Sequence, residues 1–117
     1  MSTFDLHFPI SHDKIVQNFR AHVHKLVSER SERNQHGKIV AVIDTIASNP
    51  GVSLPWKQLV SICKDAGIWT VLDAAHSIGQ ELDINLSASR PDFWVSVRAG
   101  FTSLLWGQSE NAWIELL

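Results

Sequence analysis

The sequence predicts an α/β protein, a three-layer α/β/α arrangement around a mostly parallel sheet. Two observations carry that expectation. The apolar residues change period along the chain, from strict alternation at Thr3–Phe8, to helical spacing between Ile15 and Val27, to a short continuous run at Lys38–Ile43. A second helical stretch between Pro55 and Gly67 then leads into a second short apolar run at Trp69–Leu72. Strands alternating with helices in this way pair in parallel through crossovers, with helices laid across the sheet.

Each element has a local reason. In Thr3–Phe8, Phe4, Leu6 and Phe8 alternate with Asp5 and His7, the period of a half-buried strand, and Pro9 ends it. Ser11 suits a helix N-cap, and Asp13 falls in the first turn, where the helix dipole favours an acid. Ile15, Phe19, Val23 and Leu26, widened by Val16 and Val27, form one apolar stripe. Ser28–Gly37 is polar and is expected to be a fraying helix end and loop. The Ile/Val/Ala run of Lys38–Ile43 predicts a strand covered on both faces, and Asp44–Gly51 a loop. Pro55 suits the first turn of the second helix and Gly67 its end, with Leu59, Ile62, Cys63 and Ala66 on the inner face. Trp69–Leu72 is a strand ending at Asp73, Ile78–Gly79 a turn, Asp83–Ser89 a connector with room for one helical turn, and Phe93–Ser96 the start of a further strand.

Composition narrows the function classes. The 117 residues fit one domain, and 44% hydrophobic with 19% charged residues excludes a disordered chain. Twelve acids against ten bases give a net charge of −2, with no electrostatic reason to expect nucleic acid or an anionic membrane as partner. The single cysteine, Cys63, rules out an internal disulfide and falls on an apolar helix face, where a small buried core residue is expected. No run approaches the ~18–20 apolar residues of a membrane span. Met1–Pro9 lacks the basic and apolar regions of a secretory signal, so a cytoplasmic protein is expected. The six histidines show no metal-ligand spacing; His22 and His24 are two apart on a helix and do not face each other. No metal site is expected.

Ligands of open parallel sheets bind at the carboxyl ends of strands, where Asp44 and Asp73 are both expected. Taken alone, Asp73 also reads as a cap or turn residue, His76 as a polar turn residue, and Ser48 and Asn49 as turn residues ahead of Pro50–Gly51. The stretch Val40–Asp92 carries more. Its segments IDTIASNPG, LVSICKDAG, VLDAAHSIG and the following PDFW resemble, in order, spacing and residue type, the cofactor domain of pyridoxal-phosphate (PLP) enzymes of the class V aminotransferase type. The earlier FPISHDKIVQNF is similar to the subgroup that holds isopenicillin-N-epimerase-like proteins and fungal ergothioneine-pathway C–S lyases, in a family that also resembles cysteine desulfurases.

That resemblance implies the large domain of a PLP-dependent transferase over residues 1–96, here in part, with 97–117 as a tail outside the family pattern. It implies PLP as cofactor. Asp73 would be the carboxylate at the pyridine nitrogen, His76 the partner of the phenolic oxygen, and Ser48 a further contact on that side, with Ala75 small because the ring packs closely. The same pattern breaks after Ser96. The family continues to a His-Lys pair whose lysine forms the Schiff base, but Ala99 and Gly100 stand at those positions, and no lysine follows Lys64. Arginine cannot replace a primary amine there, because it stays protonated. The resemblance also implies family parts before Met1, including a phosphate-binding loop at a helix N-terminus, and a small domain after the present end.

The expected function is therefore a truncated, catalytically inactive relative of enzymes that act as C–S lyases, desulfurases or epimerases on a small-molecule amino acid. The alternative is a non-catalytic module that forms a homodimer or pairs with a full-length relative. A third reading, an enzyme of unrelated mechanism built on Asp44, Asp73 and His76, lacks a nucleophile. Val97–Arg98 can be encoded as GT(A/G)AG(A/G), which resembles an intron start, so the tail is read either as translated intron or as a true shortened pseudoenzyme. Its crowded apolar residues, from Phe101 to Leu117, suit a strand or helix covering a sheet edge, or a partner surface.

Overall fold

A computed structural model of the chain describes residues 2–33, 35–77, 80–81, 83–96 and the backbone of 113–116. The elements in order are β1 (Ser2–Asp5), α1 (His12–Glu32), β2 (Val40–Asp44), β3 (Ile46–Ala47), β4 (Val52–Ser53), α2 (Trp56–Asp65), β5 (Trp69–Asp73), α3 (Leu86–Ser89), β6 (Phe93–Val95) and β7 (Trp113–Leu116). The main sheet has the order β1-β7-β2-β5-β6. β2, β5 and β6 run parallel, with Val42 opposite Val71 and Val71 opposite Phe93. β7 pairs antiparallel with both β1 and β2. The expected α/β class with a mostly parallel sheet is thus present, and the tail contributes a strand set inside the sheet, between β1 and β2, instead of along its edge.

Helix α1 begins where the sequence placed it. The Ser11 hydroxyl accepts from the Lys14 amide at 3.3 Å, and Asp13 lies in the first turn. The helix then runs through Glu32, past the fraying expected from Ser28. An i,i+4 pair of Lys25 with Glu29 (3.9 Å) supports this last stretch, and the Arg33 amide closes the end on the Glu29 carbonyl at 3.1 Å. The polar residues of Ser28–Glu32 form a last helical turn that is exposed or half-buried all round. Helix α2 starts one residue after Pro55, and Gly67 follows its end at φ +70, a left-handed conformation that glycine adopts without cost to a Cβ. β1 stops at Asp5, short of the expected strand.

The helices α1 and α2 pack together, and α3 lies against α2. Ile15, Phe19 and Val23 from α1 and Leu59, Ile62 and Cys63 from α2 meet Phe4, Ala41, Ile43 and Leu72 of the sheet. Phe4 meets Phe19 edge-on at 5.4 Å, and Trp56 meets Trp94 at 5.5 Å. Each fully buried side chain of this kind contributes roughly 1.5–3 kcal/mol. Burial pushes the Cys63 thiol up to about 12, helped by the charge on Asp92, so it stays a protonated core residue.

Among the described residues the helices line one face of the sheet, and topology gives the reason. Strands β1, β2, β5 and β6 enter the sheet in one direction, so right-handed crossovers place α1, α2 and α3 on the same side. A second helical layer needs a reversal of strand order, which the described residues do not contain.

Candidate functional site

The carboxyl ends of β2 and β5 gather the chemistry-bearing residues. The parallel register sets Asp44 directly beside Asp73, and Asp73 beside Val95. Cross-strand partners point to the same face, here the one away from the helices. Asp73 is exposed, and its Oδ1 accepts from the Ala75 amide at 3.0 Å. This turn leads straight to His76, also exposed, and to Ser77, which is fully buried. Ala74 and Ala75 are buried small residues between them.

Asp44 is half-buried. Burial first, and then the negative charge of Asp73, push its carboxyl up to about 7 from the ordinary carboxylate range. Two carboxylates on neighbouring strands cannot both ionise freely. The more buried one, Asp44, therefore holds its proton to higher pH than an ordinary carboxylate.

Beneath the pair lies a polar junction. Thr45 is fully buried. Its amide donates to the Asp73 carbonyl at 3.0 Å, and its hydroxyl donates to the same carbonyl at 3.2 Å. Its hydroxyl also meets the Ser77 hydroxyl, and its carbonyl accepts from Leu54 at 2.8 Å. Neither Thr45 nor Ser77 has a spacing signal in the sequence, and only the pairing of β2 with β5 brings them together.

Ser48 sits on a separate element. The span expected as a loop after Asp44 contains a small hairpin, β3 with β4, in which Ala47 opposes Val52. Each strand contributes two residues of ladder, too short for a periodicity signal. Ser48 occupies the exposed turn, which includes a cis Asn49–Pro50 bond and closes by the Gly51 amide on the Ala47 carbonyl at 2.9 Å. Asp73 and His76 therefore share one strand end, whereas no hydrogen bond among the described residues joins Ser48 to either.

A second link was also not anticipated. Glu81 accepts from the Trp56 indole at 3.1 Å with each oxygen, and from the Ser53 hydroxyl at 3.0 Å. It ties the segment beyond His76 to β4 and to the start of α2. Asp92, part of the Asp-Phe-Trp run, braces the sheet: its Oδ2 accepts from the Thr70 amide at 2.7 Å and the Thr70 hydroxyl at 3.0 Å. The turn at Ile78–Gly79, and Ala99 and Gly100, lie outside the described residues.

The arrangement offers an exposed carboxylate and an imidazole beside small, buried backbone. Such a set can hold a protonated ring nitrogen and orient a flat ring. The chain is similar to proteins named for carbon–sulfur chemistry. It is 44% identical over 57 residues to the L-cysteine desulfhydrase-like protein lolT1 of Epichloe uncinata, covering 49% of this chain and 12% of that protein. It is 41% identical over 93 residues to a putative L-cysteine desulfhydrase 1 of Oryza sativa subsp. japonica, covering 78% of this chain and 18% of that protein. It is 31% identical over 83 residues to the hercynylcysteine sulfoxide lyase of Schizosaccharomyces pombe, covering 65% of this chain and 21% of that protein. The chain thus spans about a fifth or less of the length of these curated relatives. No family model matches the sequence. Among the described residues, no helix is long and apolar enough to cross a membrane.

Proposed function

We propose that this chain derives from PLP-dependent enzymes of the class V aminotransferase type, of the cysteine desulfhydrase or C–S lyase kind, and that it carries the ring end of the cofactor site without the catalytic lysine. The observation that carries this reading is Asp73: an exposed carboxylate at the carboxyl end of a parallel strand, held by the Ala75 amide and followed in the same turn by His76. The similarity to desulfhydrases and to a sulfoxide lyase supports the substrate class, a small sulfur-bearing amino acid.

In this reading Asp73 holds the pyridine nitrogen, His76 the phenolic oxygen, and Ser48 reaches the same side from the β3–β4 turn. PLP, when bound, supplies an electron sink for charge developing on the substrate. The protein's own part is electrostatic. Burial, and then the neighbouring charge, raise the Asp44 carboxyl to about 7, which lessens the negative charge beside Asp73. Ala74 and Ala75 leave room for a flat group against the backbone.

Catalysis of the family's type needs a primary amine at the position of Gly100, and the last lysine of the chain is Lys64, at the end of α2. We therefore assign no catalytic residue. The alternative, an interaction module acting with a second copy or a longer relative, is favoured by the open sheet face, where Trp69, Phe93 and Val95 are exposed.

Titration of the purified chain with PLP, followed by borohydride reduction and mass spectrometry, tests the reading. The expected result is saturable binding that Asp73→Asn weakens at least tenfold, with no adduct concentrated on one lysine. Binding that ignores Asp73→Asn overturns the cofactor role, and an adduct on one lysine overturns the assignment of inactivity.

A further inference from the structure

We infer that Thr45 and Ser77 are positioning residues, whose buried hydroxyl pair locks the Asp73–His76 turn to the segment that carries the Ser48 hairpin. The inference rests on the cofactor reading for its purpose, and on geometry for its content.

Thr45 is the residue at which four pieces of chain meet. It follows the last residue of β2. Its amide and its hydroxyl both donate to the carbonyl of Asp73, at 3.0 and 3.2 Å. Its carbonyl takes the Leu54 amide at 2.8 Å, which fixes the chain returning from β4. Its hydroxyl oxygen meets the hydroxyl of Ser77. A threonine hydroxyl has one proton, and that proton is used on Asp73, so Ser77 must be the donor to Thr45. The order of donation is then fixed: Ser77 to Thr45 to the Asp73 carbonyl. Both side chains are fully buried, so these bonds lie away from bulk solvent.

Ser77 closes the same turn from the other side. Its amide donates to the Ala74 carbonyl at 3.1 Å, and its carbonyl takes the amides of Gln80 and Glu81, each at 3.0 Å. His76 therefore sits between two anchored points, the Asp73 carbonyl and Ser77. The exposed pair Asp73 and His76 gains a fixed place relative to the hairpin through a link that touches neither side chain.

The test uses the full chain, isotope-labelled for NMR, with pyridoxamine 5′-phosphate as the probe because it needs no lysine. Thr45→Val and Ser77→Ala are each expected to shift the amide signals of Ala75 and His76 and to weaken probe binding about tenfold. Thr45→Ser, which keeps the hydroxyl, should return both to within about threefold of the parent. The double variant should be no weaker than Thr45→Val, since the two changes break one link. Should Thr45→Val fail to fold, Ser77→Ala breaks the same bond with a smaller change in shape. Unmoved amide signals in Ser77→Ala, or a Thr45→Ser variant as impaired as Thr45→Val, overturns the inference. Absence of saturable probe binding to the parent chain overturns the cofactor reading instead; positioning is then upheld by shifted Ala75 and His76 signals with rescue in Thr45→Ser, and overturned without them.

Discussion

The two faces of the sheet differ in nearly every respect that sets stability. On the helix side, Ala41, Ile43, Thr70 and Leu72 are fully buried, and Trp94 packs on Trp56. On the other side the parallel register lines up Val40 with Trp69, then Val42, Val71 and Phe93, then Asp44, Asp73 and Val95. Phe93 is 52% exposed and Trp69 41%, and Lys38 lies over the Trp69 ring at 4.5 Å. Both faces are apolar, but one is packed and the other only clustered. The difference teaches that an Ile/Val run in a strand encodes a capacity for burial on both sides, while crossover handedness decides which side is covered here.

Four measurements break or sharpen that contrast. Phe19→Ala empties a fully buried site under the sheet and should cost about 3–5 kcal/mol in urea unfolding, a large share of a small domain's stability. A loss under 1 kcal/mol would mean that the helix face is not the core. Thr45→Val should cost about 1–3 kcal/mol, because it leaves the buried Ser77 hydroxyl without its acceptor; equal stability of variant and parent would deny the buried junction.

Asp44 gives the pH-dependent test. Its carboxyl is raised to about 7 in the folded chain, above its unfolded value, so the native state binds the proton more tightly. Stability from this group is fully present below roughly pH 4 and is lost as the pH rises through about 7. Asp44→Asn should therefore match the parent near pH 4 and exceed it at pH 8, by on the order of 1–2 kcal/mol after allowance for partial solvent access. A gap that is constant with pH would deny that burial raises the Asp44 carboxyl.

The smallest effect belongs to the open face. Phe93→Thr should change unfolding free energy by no more than about 0.5 kcal/mol. It should also lower concentration-dependent association in light scattering, since it interrupts an exposed apolar cluster. A loss comparable to Phe19→Ala would show that this face is packed in solution.

Much of this was legible in advance. Ser11 as a cap, Gly67 as a helix end, the burial of Cys63 and the strand ends at Asp44 and Asp73 all follow from local rules, and they stand in the structure. Three features did not follow. The hairpin of β3 and β4 is too short to leave a periodic signal. The extension of α1 through Glu32 depends on side chains that read as loop-like because their face is solvated. The place of β7 inside the sheet is a choice among pairings that no local pattern encodes.

The site divides in the same way. Sequence alone determined that Ser48, Asp73 and His76 stand in the order and spacing that the family resemblance rests on, and that no lysine follows Lys64, because residue identity and spacing are written directly in the chain. Tertiary structure alone decided that Asp73 and His76 share one turn while Ser48 projects from a different hairpin. It also decided that burial beside Asp73 raises the Asp44 carboxyl, and that Thr45 and Ser77 join the two segments from beneath. Those outcomes depend on which strands become neighbours. Neighbourhood in a parallel sheet is set by crossovers of roughly a dozen residues or more, a distance over which no local propensity reaches.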